Sequence, residues 1–148
     1  MRRLVMAFVG SVVVGACAKP PPCQRGAWTA PAPCCTKPVG WPGNAGAMQL
    51  DAEWVLYDAE AMFDALPAPA RAANLAAFHT ARDAYVAADQ AFVAAARASD
   101  LPAAERALAR AVRDFMTATS AWSAQTRDRD KYVDARTHAD TIERHAPK

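Results

Sequence analysis

The stretch that decides the fold is residues 78–122, FHTARDAYVAADQAFVAAARASDLPAAERALARAVRDFMTATSAW. A turn-forming segment, Ser99-Asp100-Leu101-Pro102, divides it into two halves. Seven-residue spacing of large apolar residues is typical of helices that pack side by side, as in coiled coils. Two such helices joined by a short turn predict an α-helical hairpin. The residues that repeat at this spacing are Phe78, Tyr85 and Phe92, then Leu101, Leu108, Phe115 and Trp122.

The flanking sequence extends this hairpin to an all-α, three- to four-helix bundle. The heptad stripe changes phase after Thr126, and a new apolar stripe begins at Tyr132 and ends at Ile142. We therefore expect a break between the third and fourth helices, although a single long helix is the alternative. The helical domain is expected at 48–146, with helices at about 49–66, 69–98, 101–126 and 129–145.

The first helix of this domain is acidic and has no basic residue. We expect its apolar face to contain Leu50, Trp54, Ala61 and Ala65, with Tyr57 on one flank and Val55, Met62 and Leu66 on the other. Leu56 and Phe63 point to the opposite side, so this helix can contact two partners. Because charged residues usually lie on a solvated face, its carboxylates are available to a partner. The acidic residues are Asp51, Glu53, Asp58, Glu60 and Asp64.

Residues 17–47 are rich in proline and glycine and are predicted to be a disordered tether. Proline fixes φ and removes a backbone donor, so neither a helix nor a central strand can persist there. Two tryptophans, Trp28 and Trp41, lie in this segment. We expect them either to pack on the helical domain or to contact the lipid interface, where tryptophan is common.

Residues 1–17 have the three-part layout of a secretory signal. Arg2 and Arg3 provide a basic start, an apolar run extends over 4–14, and small residues precede Cys17. The apolar run is shorter than the roughly 20 residues of a standard membrane span. The segment is therefore predicted to be a cleaved export signal rather than a transmembrane helix.

Within this segment, Val14-Gly15-Ala16-Cys17 resembles the lipobox of bacterial lipoproteins. The resemblance covers this segment only, and it implies removal of residues 1–16. It also implies that Cys17 carries a diacylglycerol and an N-acyl chain such as palmitate, and no other cofactor is expected. Ala18 resembles the residue found after the lipidated cysteine in lipoproteins sorted to the outer membrane. We therefore expect a lipid-anchored protein of the bacterial cell envelope, facing the periplasm.

Removal of residues 1–16 changes the charge of the chain. The formal net charge of +2 reflects 17 Lys and Arg against 15 Asp and Glu, and loss of Arg2 and Arg3 makes the two numbers equal. Nucleic-acid binding depends on clustered basic residues that neutralise phosphates. A balanced chain therefore argues against a nucleic-acid partner.

Three cysteines remain beside the lipid site: Cys23, Cys34 and Cys35. In an exported, oxidising setting at most one disulfide can form among them. Cys23 can pair with either of the other two, and the remaining thiol stays free or pairs with another chain.

Arg106, Arg110 and Arg113 form a basic stripe opposite the apolar face of the third helix. One interpretation is a solvated face with local ion pairs. The other is a docking surface for an acidic partner or an envelope polymer, with the acidic first helix of another copy as one such partner.

Asp134, His138 and His145 share one face of the fourth helix, at spacings compatible with metal ligands. The segment is highly charged, and no neighbouring residue is expected to orient the ligands. No metal site is therefore predicted, although a metal ion bound to this helix would use these three residues.

Catalytic motifs are absent from the sequence. There is no Glu-x-x-His pair, no Cys-x-x-Cys-His motif, and no glycine after Gly46 for a phosphate loop or nucleophile elbow. The sequence thus predicts a non-enzymatic envelope lipoprotein with a protein-interaction or structural domain. Its expected partners are the lipid bilayer, through acylated Cys17, and either an unidentified envelope protein or a second copy. The alternative function is a periplasmic bundle that binds a ligand or a metal.

Overall fold

The computed structural model describes residues 41–98 and 101–148, and it confirms an all-α helical bundle. The predicted signal peptide, Trp28, the lipidation site Cys17 and the other three cysteines (Cys23, Cys34 and Cys35) lie outside the described residues. Four helices follow one another along the chain: α1 (Ala45–Asp64), α2 (Ala68–Ala98), α3 (Leu101–Ser123) and α4 (Arg129–His145).

The helices pack as two pairs. α1 packs most extensively on α4, and α2 packs most extensively on α3. α3 also contacts α4, whereas α2 and α4 do not meet. α1 contacts all three other helices, so it is the central element of the bundle.

Helix α1 begins earlier than we expected from the proline- and glycine-rich composition of residues 17–47. α1 starts at Ala45, inside the range 17–47 that was expected to contain no helix, and Gly46 is buried within it. Gly43 has φ of 52°, a left-handed conformation that glycine adopts readily. It allows a tight turn in which the Ala45 amide donates to the Pro42 carbonyl at 3.1 Å. The prolines end at residue 42, so nothing prevents helix formation after this turn.

Trp41 attaches this turn to the bundle. Its ring meets Phe92 of α2 edge-on, with the ring centroids 6.2 Å apart. Of the two arrangements expected for Trp41, the structure shows packing on the helical domain.

The heptad residues of the hairpin form an aromatic core. Phe78 stacks on Phe63 of α1 with centroids 4.0 Å apart, and Tyr85 stacks on Phe115 at 4.9 Å. Trp122 meets both Phe63 and Phe78 edge-on. Aromatic rings bury large areas and prefer these offset and edge-on geometries. The aromatic residues of the α2–α3 hairpin therefore pack against α1. The hydroxyl of Tyr85 also donates a hydrogen bond to the Ala52 carbonyl of α1 at 2.8 Å.

The apolar face predicted for α1 is confirmed on one flank only, where Val55, Met62 and Leu66 are buried. Leu50, Trp54, Ala61 and Ala65 are only half-buried. The face in the core is the neighbouring one, because α1 is surrounded by three helices and buries side chains on most of its circumference. Its fully buried apolar residues are Ala45, Met48, Ala52, Val55, Ala59, Met62 and Phe63.

α3 and α4 are separate helices, as the phase change indicated. α3 ends at Ser123 rather than at 126, because Thr126 leaves the helix and its hydroxyl donates to the Met62 carbonyl at 2.8 Å. The Arg127 amide donates to the Ala65 carbonyl at 3.3 Å. These bonds fix the connection to the end of α1, and α4 then buries Ala135, Ala139 and Ile142 against the core.

Within residues 41–98 and 101–148, no helix combines the length and the apolar character that crossing a membrane requires.

Candidate functional site

The arginine stripe predicted on the third helix lies on the outer face of α3. Arg106, Arg110 and Arg113 are all exposed, whereas Leu108 and Val112 on the opposite face are fully buried. The burial of the apolar stripe in the core is what turns these guanidinium groups towards solvent.

The stripe lines a cleft of about 380 Å³ between α3 and the end of α4. Ala109 contributes part of its floor, and Ala146 and Pro147 form the opposite wall. We call this the arginine cleft. Its lining residues are Arg106, Ala109, Arg110, Arg113, Glu143, Ala146, Pro147 and Lys148.

Positive charge dominates the arginine cleft. Glu143 is the one acidic side chain among its lining residues, and its Oε2 lies 3.0 Å from Nη2 of Arg113. Arg106 and Arg110 make no hydrogen bond or ion pair with any residue that the structure describes. A guanidinium presents a planar fork of donors that matches a carboxylate or phosphate oxygen pair. The guanidinium groups of Arg106 and Arg110 are therefore available beside the apolar side chain of Ala109. This arrangement is suited to binding an anionic group.

The acidic residues of α1 are not available to fill such a cleft in another copy, contrary to the expectation from the sequence. Asp58 lies 3.0 Å from Nζ of Lys131, and Glu60 lies 2.5 Å from Nε of Arg82. Both carboxylates are almost completely buried. They are paired within the bundle because a buried charge without a partner is strongly unfavourable.

Two further acidic residues of α1, Asp64 and Asp51, contact side chains of α2 and α4. Asp64 receives a hydrogen bond on its carbonyl from Arg71 at 3.0 Å, and its carboxylate lies 3.9 Å from the same guanidinium. Asp51 lies 2.7 Å from Nδ1 of His138. The acidity of α1 therefore serves the interior contacts with α2 and α4 rather than an external partner.

Burial and pairing act against each other at Asp58. Burial raises the pKa of its carboxyl, although Lys131 acts to lower it. The hydrogen bond to Asp58 in turn raises the pKa of Lys131. The ammonium also lies 5.9 Å from the ring centroid of Tyr57, at a cation–π distance. Lys131 is thus held between α1 and α4 as a charged structural contact.

A further polar contact joins α1 and α2 at Asp89. Asp89 and Arg82 fall inside the apolar stripe of the second helix by angle, and that position favours either the rim of the stripe or a pairing with a neighbouring helix, as both residues show. Gln49 is buried and its amide donates to Oδ2 of Asp89 at 3.5 Å and to Glu53 at 3.4 Å. Burial raises the pKa of Asp89 to about 6, with Glu53 adding to the rise and the Gln49 hydrogen bond opposing it. The angle of Asp89 indicates a pairing but not its partner, because Gln49 is 40 positions away in the sequence.

The three metal candidates on α4 do not form a ligand set. His138 contacts Asp51 and stacks on Trp54, with ring centroids 5.9 Å apart. Asp134 lies 3.9 Å from Lys131, and His145 makes no hydrogen bond through its buried Nδ1. Within the described parts of the chain, no group of three or more His, Cys, Asp or Glu side chains is placed to hold a metal ion.

Comparison of the chain with protein-family models, with curated proteins and with solved structures finds no match. Inference about function therefore depends on the residues and their geometry.

The buried carboxyl of Asp89 generates a prediction about pH. Its pKa is about 6 in the folded chain, whereas an unperturbed Asp has a pKa near 4. Between pH 4 and pH 6 the Asp89 carboxyl therefore binds more protons in the folded state than in the unfolded state. Its contribution to the free energy of unfolding accordingly becomes more favourable as the pH falls from 7 to 4. Asp89→Asn is expected to raise the free energy of unfolding by about 1–2 kcal/mol at pH 7 and to change it little at pH 4.

Urea denaturation of both proteins across this pH range measures the difference. A stability difference that does not change with pH would contradict the proposed titration of Asp89.

Proposed function

We propose that this chain is a membrane-anchored, non-enzymatic lipoprotein of the bacterial cell envelope whose bundle docks an acidic protein segment in the arginine cleft. Cys17 would carry the lipid, and residues 17–40 would lead from the bilayer to the bundle. The docking is passive: it requires binding geometry and charge, and no covalent chemistry.

One contrast carries the docking part of this proposal. Inside the bundle, the buried carboxylates of Asp58 and Glu60 on α1 are paired with cations from α4 and α2. On the outer face of α3, Arg106 and Arg110 are exposed and have no partner among the described residues. Charged groups on a rim increase association rate and select partners by sign. The free charge of this cleft therefore favours an acidic partner.

The rest of the cleft favours a polypeptide over a bare anion. Ala109, Ala146 and Pro147 offer apolar contacts that a peptide with mixed acidic and apolar side chains can use. Glu143 repels a multiply charged anion such as phosphate and already occupies Arg113. An incoming carboxylate would meet Arg106 and Arg110 first.

The lipobox-like residues 14–17 support the anchoring part. The metal-binding form of the alternative function, a periplasmic ligand- or metal-binding bundle, has no support from α4, because Asp134 and His138 contact different residues and do not converge with His145.

The anchor predicts a specific modification of Cys17. Expressed in a Gram-negative host, the wild-type chain should lose residues 1–16 and gain the mass of three acyl chains with glycerol at Cys17. Cys17→Ser should keep residues 1–16 and carry no acyl chain, because the acceptor thiol is gone. Intact-mass spectrometry and labelling with radioactive palmitate measure both outcomes.

Cys23→Ser is the matched control and should be lipidated like the wild type. An unlipidated wild-type chain, or a lipidated Cys17→Ser variant, would contradict the proposed anchor.

The docking proposal predicts binding of an acidic probe. A fluorescein-labelled peptide of Glu-Ala-Ala-Ala-Glu repeats should bind the full chain, measured by fluorescence anisotropy at low salt. Charge reversal at both free guanidinium groups, Arg106→Glu with Arg110→Glu, should weaken binding by about tenfold or more, equivalent to about 1.4 kcal/mol or more.

The control is Arg127→Glu with Arg129→Glu, which makes the same change in net charge at exposed arginines outside the cleft. This control double variant should lower the affinity for the peptide by no more than about twofold, through the change in the overall electrostatic potential of the protein. Equal losses in the two double variants, or no loss in either, would contradict docking in the arginine cleft.

A further inference from the structure

The solvent face of α4 has a pattern complementary to the arginine cleft. Val133 is 58% exposed and is the one large apolar side chain on the surface of the described residues. Asp130 and Asp134, both exposed, flank it on the same side of the helix. We call these three residues the acidic patch.

Neither aspartate is strongly engaged within its own chain. Asp130 makes no hydrogen bond or ion pair with a described residue, and Asp134 makes one long contact, 3.9 Å to Lys131, with its side chain 55% exposed. An exposed pair at this distance contributes little to stability. Both carboxylates can therefore meet an external cation at small cost.

The two surfaces share one spacing. In the cleft, Arg106 and Arg110 are four residues apart with Ala109 between them; in the acidic patch, Asp130 and Asp134 are four apart with Val133 between them. Residues at i and i+4 on a helix have Cβ atoms about 5–6 Å apart. Two helices laid antiparallel can thus place Arg106 against Asp134 and Arg110 against Asp130.

The apolar residues then fall on the same side of the contact. Val133 lies beside Ala109 and can extend over the apolar floor that Ala146 and Pro147 complete. Burial of an exposed Val removes apolar area from water, while the ion pairs fix the register.

We propose that the acidic segment bound by the arginine cleft is the acidic patch of a second copy of this chain. This inference rests on the proposed function, because it names the partner of the same cleft. Loss of residues 1–16 would leave equal numbers of basic and acidic residues, so two mature copies do not repel each other through net charge.

The contact is small, and on its own it is weak. A lipid anchor concentrates copies on one bilayer, which raises their effective concentration without any new contact. Self-association is therefore expected to be modest in dilute solution and strong at the membrane.

Sedimentation velocity of the full chain, in mild detergent with a thiol reductant, tests the proposal. The average mass should rise with protein concentration up to about 300 µM, a range suited to a contact below standard interface size. It should fall in about 1 M NaCl, where the screening length is about 3 Å. Arg110→Glu and Asp130→Arg should each weaken association by about tenfold or more.

Charge exchange distinguishes a second copy from any other acidic partner. An equimolar mixture of the two single variants should associate, because the reversed cleft of one meets the reversed patch of the other. The double variant Arg110→Glu, Asp130→Arg should self-associate again. Asp83→Arg is the matched control: it makes the same charge change as Asp130→Arg but on α2, which does not contact α4.

Circular dichroism establishes that each variant is folded. A wild-type chain that stays monomeric, or a folded double variant that fails to recover association, would overturn the proposal. In the first case the acidic-peptide assay still reports on docking in the cleft. Failure of that assay, by contrast, would overturn the proposed function itself.

Discussion

The bundle depends on the pairing of buried carboxylates on α1 with cations from the helices around it. Asp58 and Glu60 are 1% and 2% exposed, and each would be strongly unfavourable without a partner. Lys131 of α4 and Arg82 of α2 supply those partners from opposite sides of α1. The pairs are satisfied together in one arrangement of the helices, so they select the register in which α2 and α4 pack on α1.

The apolar core agrees with that register. Phe63 lies three residues after Glu60 on α1. It stacks on Phe78 of α2 and meets Trp122 of α3 edge-on. α1 thus contributes charge on two sides and aromatic area on a third. Because most of its acidic residues are used inside the bundle, charges that are free to meet a partner lie on other parts of the domain, among them the arginine cleft and the outer face of α4. The surface available for docking follows from how the interior is paired.

The sequence predicted those parts of the fold that depend on local periodicity. Heptad spacing indicated the hairpin of α2 and α3, and the phase change after Thr126 indicated a separate fourth helix. Periodicity was only partly right on α1. It located the buried flank with Val55 and Met62, but a pattern that assigns charged residues to solvent cannot find Asp58 and Glu60 in the interior. The exposure of the three arginines followed from their angle on α3. The cleft that these arginines line could not be predicted from the sequence, because its second wall, from Glu143 to Lys148, is distant from α3 along the chain. The Gln49–Asp89 contact is distant in the same sense: the position of Asp89 inside the apolar stripe indicated a pairing, but not that Gln49 is the partner.

The most direct test of the account is a double-mutant cycle on Asp58 and Lys131, with each residue and then both changed to Ala. The free energy of unfolding is measured by urea denaturation at pH 7. Arg136 and Asp140 provide the matched control, because they form a pair of the same 3.0 Å length on α4 with both side chains about half exposed. The account predicts a coupling energy of about 1–3 kcal/mol for the buried pair and about 0.3–0.5 kcal/mol for the exposed pair. Equal coupling in the two pairs, or a buried coupling below about 0.5 kcal/mol, would contradict the role given to the α1 carboxylates.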